Sequence, residues 1–211
     1  VRLQELPRGL SKLQNLLELN LSDCSKLQKL PTDMTSLLSL TLSYCVRLQE
    51  LPRGLSKLRN LLELRLGGCS NLQKLPPDMS KWTELRTLNL NYCENLQELP
   101  RDMSKLVKLR ELRLFGCSKL RHMPVGLGNC TGLQTLSLFV AEGRSLSRTN
   151  PSDSDGCEVG ALADLGRLNN LKGELRIKVD GEWSSESEAR AANLQGKQKL
   201  TELKIEFVGG S

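Results

Sequence analysis

The stretch LLSLTLSYCVRLQELPRGLSKLRN (residues 37–60) reads as one unit, LxxLxLxxCxxLxxLPxxLxxLxx. The LxxLxL opening carries the period-two alternation of a short strand, with the residues between the leucines facing solvent. The Cys and the next Leu turn the chain inward. The Leu-Pro then ends the strand-like path, because proline has no N–H to give to a ladder. The closing xxLxxL returns along the other side as an extended, 3-10 or short helical piece. Units of this kind begin again at Leu16, Leu61, Leu85, Leu109 and Leu133. Leu-Pro recurs at Leu6, Leu30, Leu51, Leu75 and Leu99, and Met123-Pro124 completes the series, at spacings of 24, 21, 24, 24 and 24 residues. Residues 2–13 and 47–58 are the same string, RLQELPRGLSKL. The one short spacing follows from three residues missing after Thr35, in the returning segment.

No single unit of this length can bury its own leucines. Stacked units bury a continuous leucine column, so stability requires several neighbours. The predicted fold is therefore α/β: a leucine-rich-repeat solenoid, an arc with a parallel concave β-sheet and an irregular, 3-10 or short helical convex side. Six to nine coils with strands about 4.8 Å apart would make an arc roughly 30–40 Å long. Residues 1–140 hold the regular repeats. Residues 141–161 are rich in Ser, Asp and Gly without leucine periodicity and read as a flexible loop. Residues 162–211 read as irregular C-terminal repeats, with a second break at DGEWSS, a short helix over 185–199 and a last strand over 200–207.

Composition supports one element used many times. The chain of 211 residues has 47 Leu and 2 Ile, and only 3% aromatics. A doubly wound enzyme, a barrel or a sandwich spreads its core over Leu, Ile, Val and Phe. The net charge of +6 is mild and its charges are interspersed. Nucleic-acid binders concentrate a basic stripe, so no nucleic-acid partner is expected. The charge-free run 124–141 is broken by Gly, Asn, Thr, Gln and Ser, so no membrane association is expected. The first residue falls inside a repeat, which leads us to expect a part of a longer protein.

A search for chemistry finds no catalytic, metal or cofactor site to propose. Cys24, Cys45, Cys69, Cys93 and Cys117 occupy one column, 21 or 24 residues apart, without the close pairs that zinc requires. Small buried thiols that favour a reducing compartment are the expected reading. Cys157, in the loop, is the exception that reads as exposed. His122 falls in a column otherwise made of Glu5, Lys29, Glu50, Lys74 and Glu98, and reads as a solvated replacement. Beside it Gln4, Gln28, Gln49, Gln73 and Gln97 form a second ladder. The triplets at Asn20 and Asn129 read as unused glycosylation sites. There is no Gly-rich GK[ST] loop and no Gly-x-Ser-x-Gly elbow, so the chain does not read as an enzyme.

The remaining candidate is a surface. Register alone puts five outward positions on each strand, and solenoids bind on that concave side. Arg65, Arg86, Arg110 and Arg113 form a basic area across neighbouring strands, with Asn89 among them. Tyr44, Tyr92, Phe115 and Phe139 fall along one edge. Arginines and aromatics are the usual anchors of protein interfaces. Glu18, Glu63 and Glu111 share one column, so the face is mixed and suits an acidic protein patch.

Several segments carry a family resemblance. GCSNLQKLP (68–76), NYCENLQELP (91–100) and FGCSKLRHMP (115–124) resemble the Cys-bearing repeats of plant intracellular nucleotide-binding leucine-rich-repeat (NB-LRR) disease resistance proteins. GLGNCTGLQTLSLFV (126–140), GRLNNLKGELRIKV (166–179) and SEARAANLQGKQKLTELKIEF (187–207) resemble repeats of the coiled-coil class of those receptors. Phe207 stands where that family often has Trp. The resemblance implies a cytoplasmic or nucleo-cytoplasmic sensor and autoregulatory domain. Its partners would be a pathogen effector or guarded host protein and the upstream nucleotide-binding domain of the same receptor. ADP or ATP would bind that upstream domain and not this chain. The alternative is a stand-alone intracellular leucine-rich-repeat scaffold.

Overall fold

The computed structural model describes residues 6–27, 34–51, 55–142, 162–180 and 190–208. Six short strands follow one another in the chain and in space: β1 (Glu18–Asn20), β2 (Ser39–Thr41), β3 (Glu63–Arg65), β4 (Thr87–Asn89), β5 (Glu111–Arg113) and β6 (Thr135–Leu136). All five pairs are parallel, and Glu18, Ser39, Glu63, Thr87, Glu111 and Thr135 lie in one register column. The unit of 24 residues thus sets one turn of the solenoid, and the shortened unit keeps the register. The deletion falls where the returning segment can absorb it.

The core follows from the same periodicity. Leu40, Leu64, Leu88 and Leu112 from the strands are buried, as are Leu37, Leu61, Leu85, Leu109 and Leu133 that open the units. Each fully buried leucine contributes about 1.5–3 kcal/mol relative to an exposed one. The xxLxxL segments form 3-10 turns, among them Leu55–Lys57, Met79–Lys81, Arg101–Lys105 and Leu127–Asn129. Pro100 sits extended at φ −61° and ψ 141° just before the turn at Arg101, as its fixed ring favours at a helix start. Trp82 takes a leucine place in the third complete coil. It is fully buried, and its indole N–H donates to the Leu55 carbonyl at 3.3 Å.

The cysteine column has a role beyond filling space. The thiols of Cys45, Cys69, Cys93 and Cys117 donate to the carbonyls of Leu21, Leu42, Leu66 and Leu90, at 3.1–3.4 Å. Each acceptor is the last leucine of LxxLxL in the preceding coil; its carbonyl already accepts the amide of its own coil's cysteine at 3.1–3.4 Å, and the thiol adds a second bond from the next coil. Cys24, Cys45, Cys69, Cys93, Cys117 and Cys130 are all free and buried. Burial pushes the thiols of Cys93 and Cys117 up to about 12 and that of Cys130 up to about 11. They are protonated packing groups, since the reactive form is the thiolate. Cys157 lies outside the described residues.

The glutamine column is joined through the main chain. The amide of Gln73 donates to the Gln49 carbonyl at 2.9 Å, and that of Gln97 to the Gln73 carbonyl at 3.4 Å. In the neighbouring acidic–basic column, Glu50 and Lys74 form a parallel backbone bridge. An ion pair between successive coils lies elsewhere, from Lys108 to Glu84 at 2.6 and 2.8 Å.

At Ser137 the sheet divides. In earlier coils the amide after the strand donates to a main-chain carbonyl of the next coil, as Leu66 does to Asn89 and Leu90 to Arg113, both at 2.8 Å. The Leu114 amide instead donates to the Ser137 hydroxyl at 2.7 Å. The Ser137 carbonyl is released and accepts from the Arg176 amide at 3.2 Å. A second parallel sheet starts there: β7 (Leu138–Glu142), β8 (Lys172–Asp180) and β9 (Lys199–Val208). Leu138, Phe139, Val140 and Ala141 are buried in succession, so β7 is covered on both faces.

Two C-terminal expectations change accordingly. Ala141 and Glu142, expected in a loop over 141–161, end β7; residues 143–161 lie outside the described residues. Of the helix expected over 185–199, only 190–199 is described. Residues 190–191 are helical and a 3-10 turn spans Leu194–Gly196. A short helix absent from the sequence reading, α1 (Leu162–Arg167), packs beside the Leu127–Asn129 turn. The Gly126 amide donates to its Asp164 carboxylate at 2.8 Å. The buried Lys197 ammonium donates to the carbonyls of Leu165 and Leu168 at 2.7 and 3.1 Å.

Candidate functional site

The outward positions of β1–β5 and the turns after them make the concave face. One position of that face, just before each cysteine, is held at positive φ in five successive coils. Asp23, Tyr44 and Tyr92 have φ of 60°, 60° and 59°, and Gly68 and Gly116 have 78°. The left-handed region costs an L-residue about 1–2 kcal/mol, so glycine is the unstrained choice. Tyr44 and Tyr92 accept that strain, and both are exposed, at 60% and 51%.

The glycines have a second reason to be there. A Cβ on Gly68 would lie 2.5 Å from Cδ1 of Tyr44, and one on Gly116 would lie 2.7 Å from Cδ1 of Tyr92. Each tyrosine ring lies over the glycine of the next coil. Phe115, 51% exposed, meets Tyr92 edge to face with ring centroids 5.4 Å apart. The Asn91 side-chain oxygen accepts the Phe115 amide at 2.9 Å and steadies this corner. Tyr44 stands apart, with the glycine coil of β3 between it and Tyr92. The alternation Tyr44, Gly68, Tyr92, Gly116 in one sequence column was the signal for these seats, and the sequence reading had not used it.

The arginines divide into two kinds. Arg65 pairs with Glu63 at 3.0 Å and Arg113 with Glu111 at 3.0 Å, each two residues away on its own strand. Such exposed pairs contribute about 0–1 kcal/mol but neutralise the local charge. Arg86 and Arg110 are exposed and have no ion-pair partner among the described residues. They lie on adjacent coils, where the Arg110 amide donates to the Arg86 carbonyl at 2.8 Å. Asn89 is half-buried and its side-chain oxygen accepts the Asn91 amide at 3.0 Å, so it shapes the face from within.

Phe139 has to be removed from the surface candidates. Repeat register placed it outward, but the switch at Ser137 turns the next strand into the second sheet, and Phe139 is fully buried. Of the remaining sequence candidates, Arg86, Asn89, Tyr92, Arg110, Arg113 and Phe115 come together on the β4–β5 coils. Arg65 lies one coil earlier and Tyr44 two.

Other parts of the molecule look less like a site. On the C-terminal sheet, Glu206 accepts from Arg176 at 2.6 Å and from Lys204 at 2.8 Å, which holds its carboxyl down to about 2. A shallow cleft of about 640 Å³ is lined by Leu75, Leu99, Pro100 and Pro124, with Lys74 and Glu98 among its charged residues. Among the described residues no group of three or more His, Cys, Asp or Glu side chains is placed to hold a metal ion. No described helix is long and apolar enough to cross a membrane.

Comparison with known proteins agrees with this architecture. An internalin (inlF) from Listeria monocytogenes superposes with a TM-score of 0.58 at 19% identity, over 92% of this chain and 48% of its own. The chain thus spans about half the length of that internalin. The leucine-rich repeat domain of the type III effector XopL superposes with a TM-score of 0.56 at 20% identity, over 97% of this chain and 74% of its own. At these identities the likeness is one of fold. No curated protein matches the sequence. The family model described as a leucine-rich repeat region matches residues 55–211, most of the chain. With the stacked parallel strands and the leucine column behind them, that match places the chain in the leucine-rich repeat family.

Proposed function

We propose that this chain is the protein-recognition and autoregulatory domain of an intracellular plant immune receptor of the coiled-coil NB-LRR class. It binds a pathogen effector or a guarded host protein on its concave face and thereby controls an upstream nucleotide-binding switch. The observation that carries recognition is the strained aromatic edge. Tyr44 and Tyr92 sit at φ near 60° with their rings exposed, where glycine would cost less. Backbone strain held at an exposed position points to function. The receptor class is supported by the resemblance of residues 166–179 and 187–207 to that family's C-terminal repeats.

The mechanism is differential binding. A ligand that prefers the concave face of the released receptor shifts the equilibrium toward that state by its difference in affinity. The switch itself, with its ADP or ATP, belongs to the upstream domain. The location that follows is cytoplasmic or nucleo-cytoplasmic. The test is to read the full transcript upstream of Val1. A GxxxxGK[ST] loop several hundred residues before it is the expected result. A frame that starts just upstream without that loop refutes the receptor reading and leaves a stand-alone scaffold.

A further inference from the structure

The β4–β5 coils carry an uncompensated pair of like charges beside an aromatic pair. Arg86 and Arg110 stand in one column just before β4 and β5, their main chains joined from the Arg110 amide to the Arg86 carbonyl at 2.8 Å and about 4.8 Å apart in the hydrogen-bonding direction. The same column holds Leu17, Leu38, Leu62 and Gln134 in the other coils, so the charge is confined to these two. The carboxylates within reach are already engaged. Glu84, two residues before Arg86, is held by Lys108 at 2.6 Å, and Glu111, next to Arg110, is held by Arg113 at 3.0 Å. Counting Lys108, Arg86, Arg110 and Arg113 against Glu84 and Glu111 leaves two positive charges. Like charges directly opposite on neighbouring strands destabilise a sheet. At the other end of the same two coils, Tyr92 and Phe115 present an edge-to-face aromatic corner to solvent.

We infer that these two coils bind an extended acidic protein segment lying along β4 and β5. Its carboxylate seats between the Arg86 and Arg110 guanidiniums, which match carboxylate geometry. An apolar side chain of the same segment seats on Tyr92 and Phe115, roughly 15 Å away at extended-chain spacing. The partner therefore carries an acidic residue about five positions from an apolar one. This rests on the concave face being the recognition surface, and it names the chemistry that surface takes.

The test uses a fluorescein-labelled peptide with two glutamates at one end and a leucine five residues on, in a Ser/Gly background. Controls are its scrambled form, a lysine-for-glutamate form and a single-stranded oligonucleotide. The acidic peptide should bind at least tenfold tighter than each control, and its affinity should fall with added salt. Arg86→Glu with Arg110→Glu should abolish that binding while the urea midpoint shows the fold intact. Tyr92→Ala with Phe115→Ala should weaken it. Arg86→Glu alone places a carboxylate opposite Arg110 and should raise the urea midpoint. No binding, equal binding to the arginine double variant, or equal binding to the oligonucleotide overturns the proposal. A protein partner that binds the concave face but ignores the arginine double variant overturns it too, while leaving the recognition reading intact.

Discussion

Raising the pH above 9 should unfold this chain through its buried cysteine column. Ordinary thiols titrate at 9.0, whereas burial moves Cys93 and Cys117 up to about 12 and Cys130 up to about 11. The folded state therefore keeps these protons while the unfolded chain loses them. Their contribution is fully present below pH 9 and is lost as the pH climbs toward the folded values. One pH unit above the unfolded value costs about 1.4 kcal/mol per thiol, so the three together cost about 4 kcal/mol at pH 10. Against a total stability of about 5–15 kcal/mol this decides whether the array stays folded. The assay is urea unfolding from pH 7.5 to 10.5 under reducing conditions, for the natural chain and for Cys93→Ala with Cys117→Ala. Above pH 9 the natural chain should lose stability more steeply than the variant, by about 3 kcal/mol per pH unit, because the variant lacks two of the raised thiols. Equal slopes in the two proteins would refute the argument that buried, protonated thiols join the coils.

Three further outcomes are expected. Gly116→Ala puts a Cβ at positive φ and 2.7 Å from the Tyr92 ring, and should cost about 2–3 kcal/mol by urea unfolding from strain plus loss of the edge-to-face pair. Gly132→Ala, whose Cβ meets nothing nearer than 3.9 Å, is the control and should change stability by less than about 0.5 kcal/mol. Lys197→Met should cost about 1–3 kcal/mol, because it strips a donor from the Leu165 and Leu168 carbonyls; hydrogen exchange should show α1 opening first.

How far the site could be read from the sequence varied from residue to residue. Tyr44, Tyr92, Arg86 and Arg110 were placed outward by repeat register, and the structure exposes each of them. Arg65 and Arg113 were placed correctly, but their neutralisation by Glu63 and Glu111 depends on side-chain reach along a strand. Phe139 was misplaced because the strand after Ser137 joins the second sheet, where Leu138, Phe139, Val140 and Ala141 are covered on both faces. The repeat pattern alone could not announce it.

The spacing of leucine, cysteine and Leu-Pro determined the solenoid, the parallel order of its strands and the column in which each outward residue stands. Those properties are translational: what holds for one unit holds for the next, so counting along the chain is enough. Tertiary structure alone decided the division into two sheets, the seating of Tyr92 on Gly116 and the isolation of Arg86 and Arg110. Each of these depends on which neighbour a side chain reaches across a gap of a few ångströms, and that distance exists only once the coils are stacked.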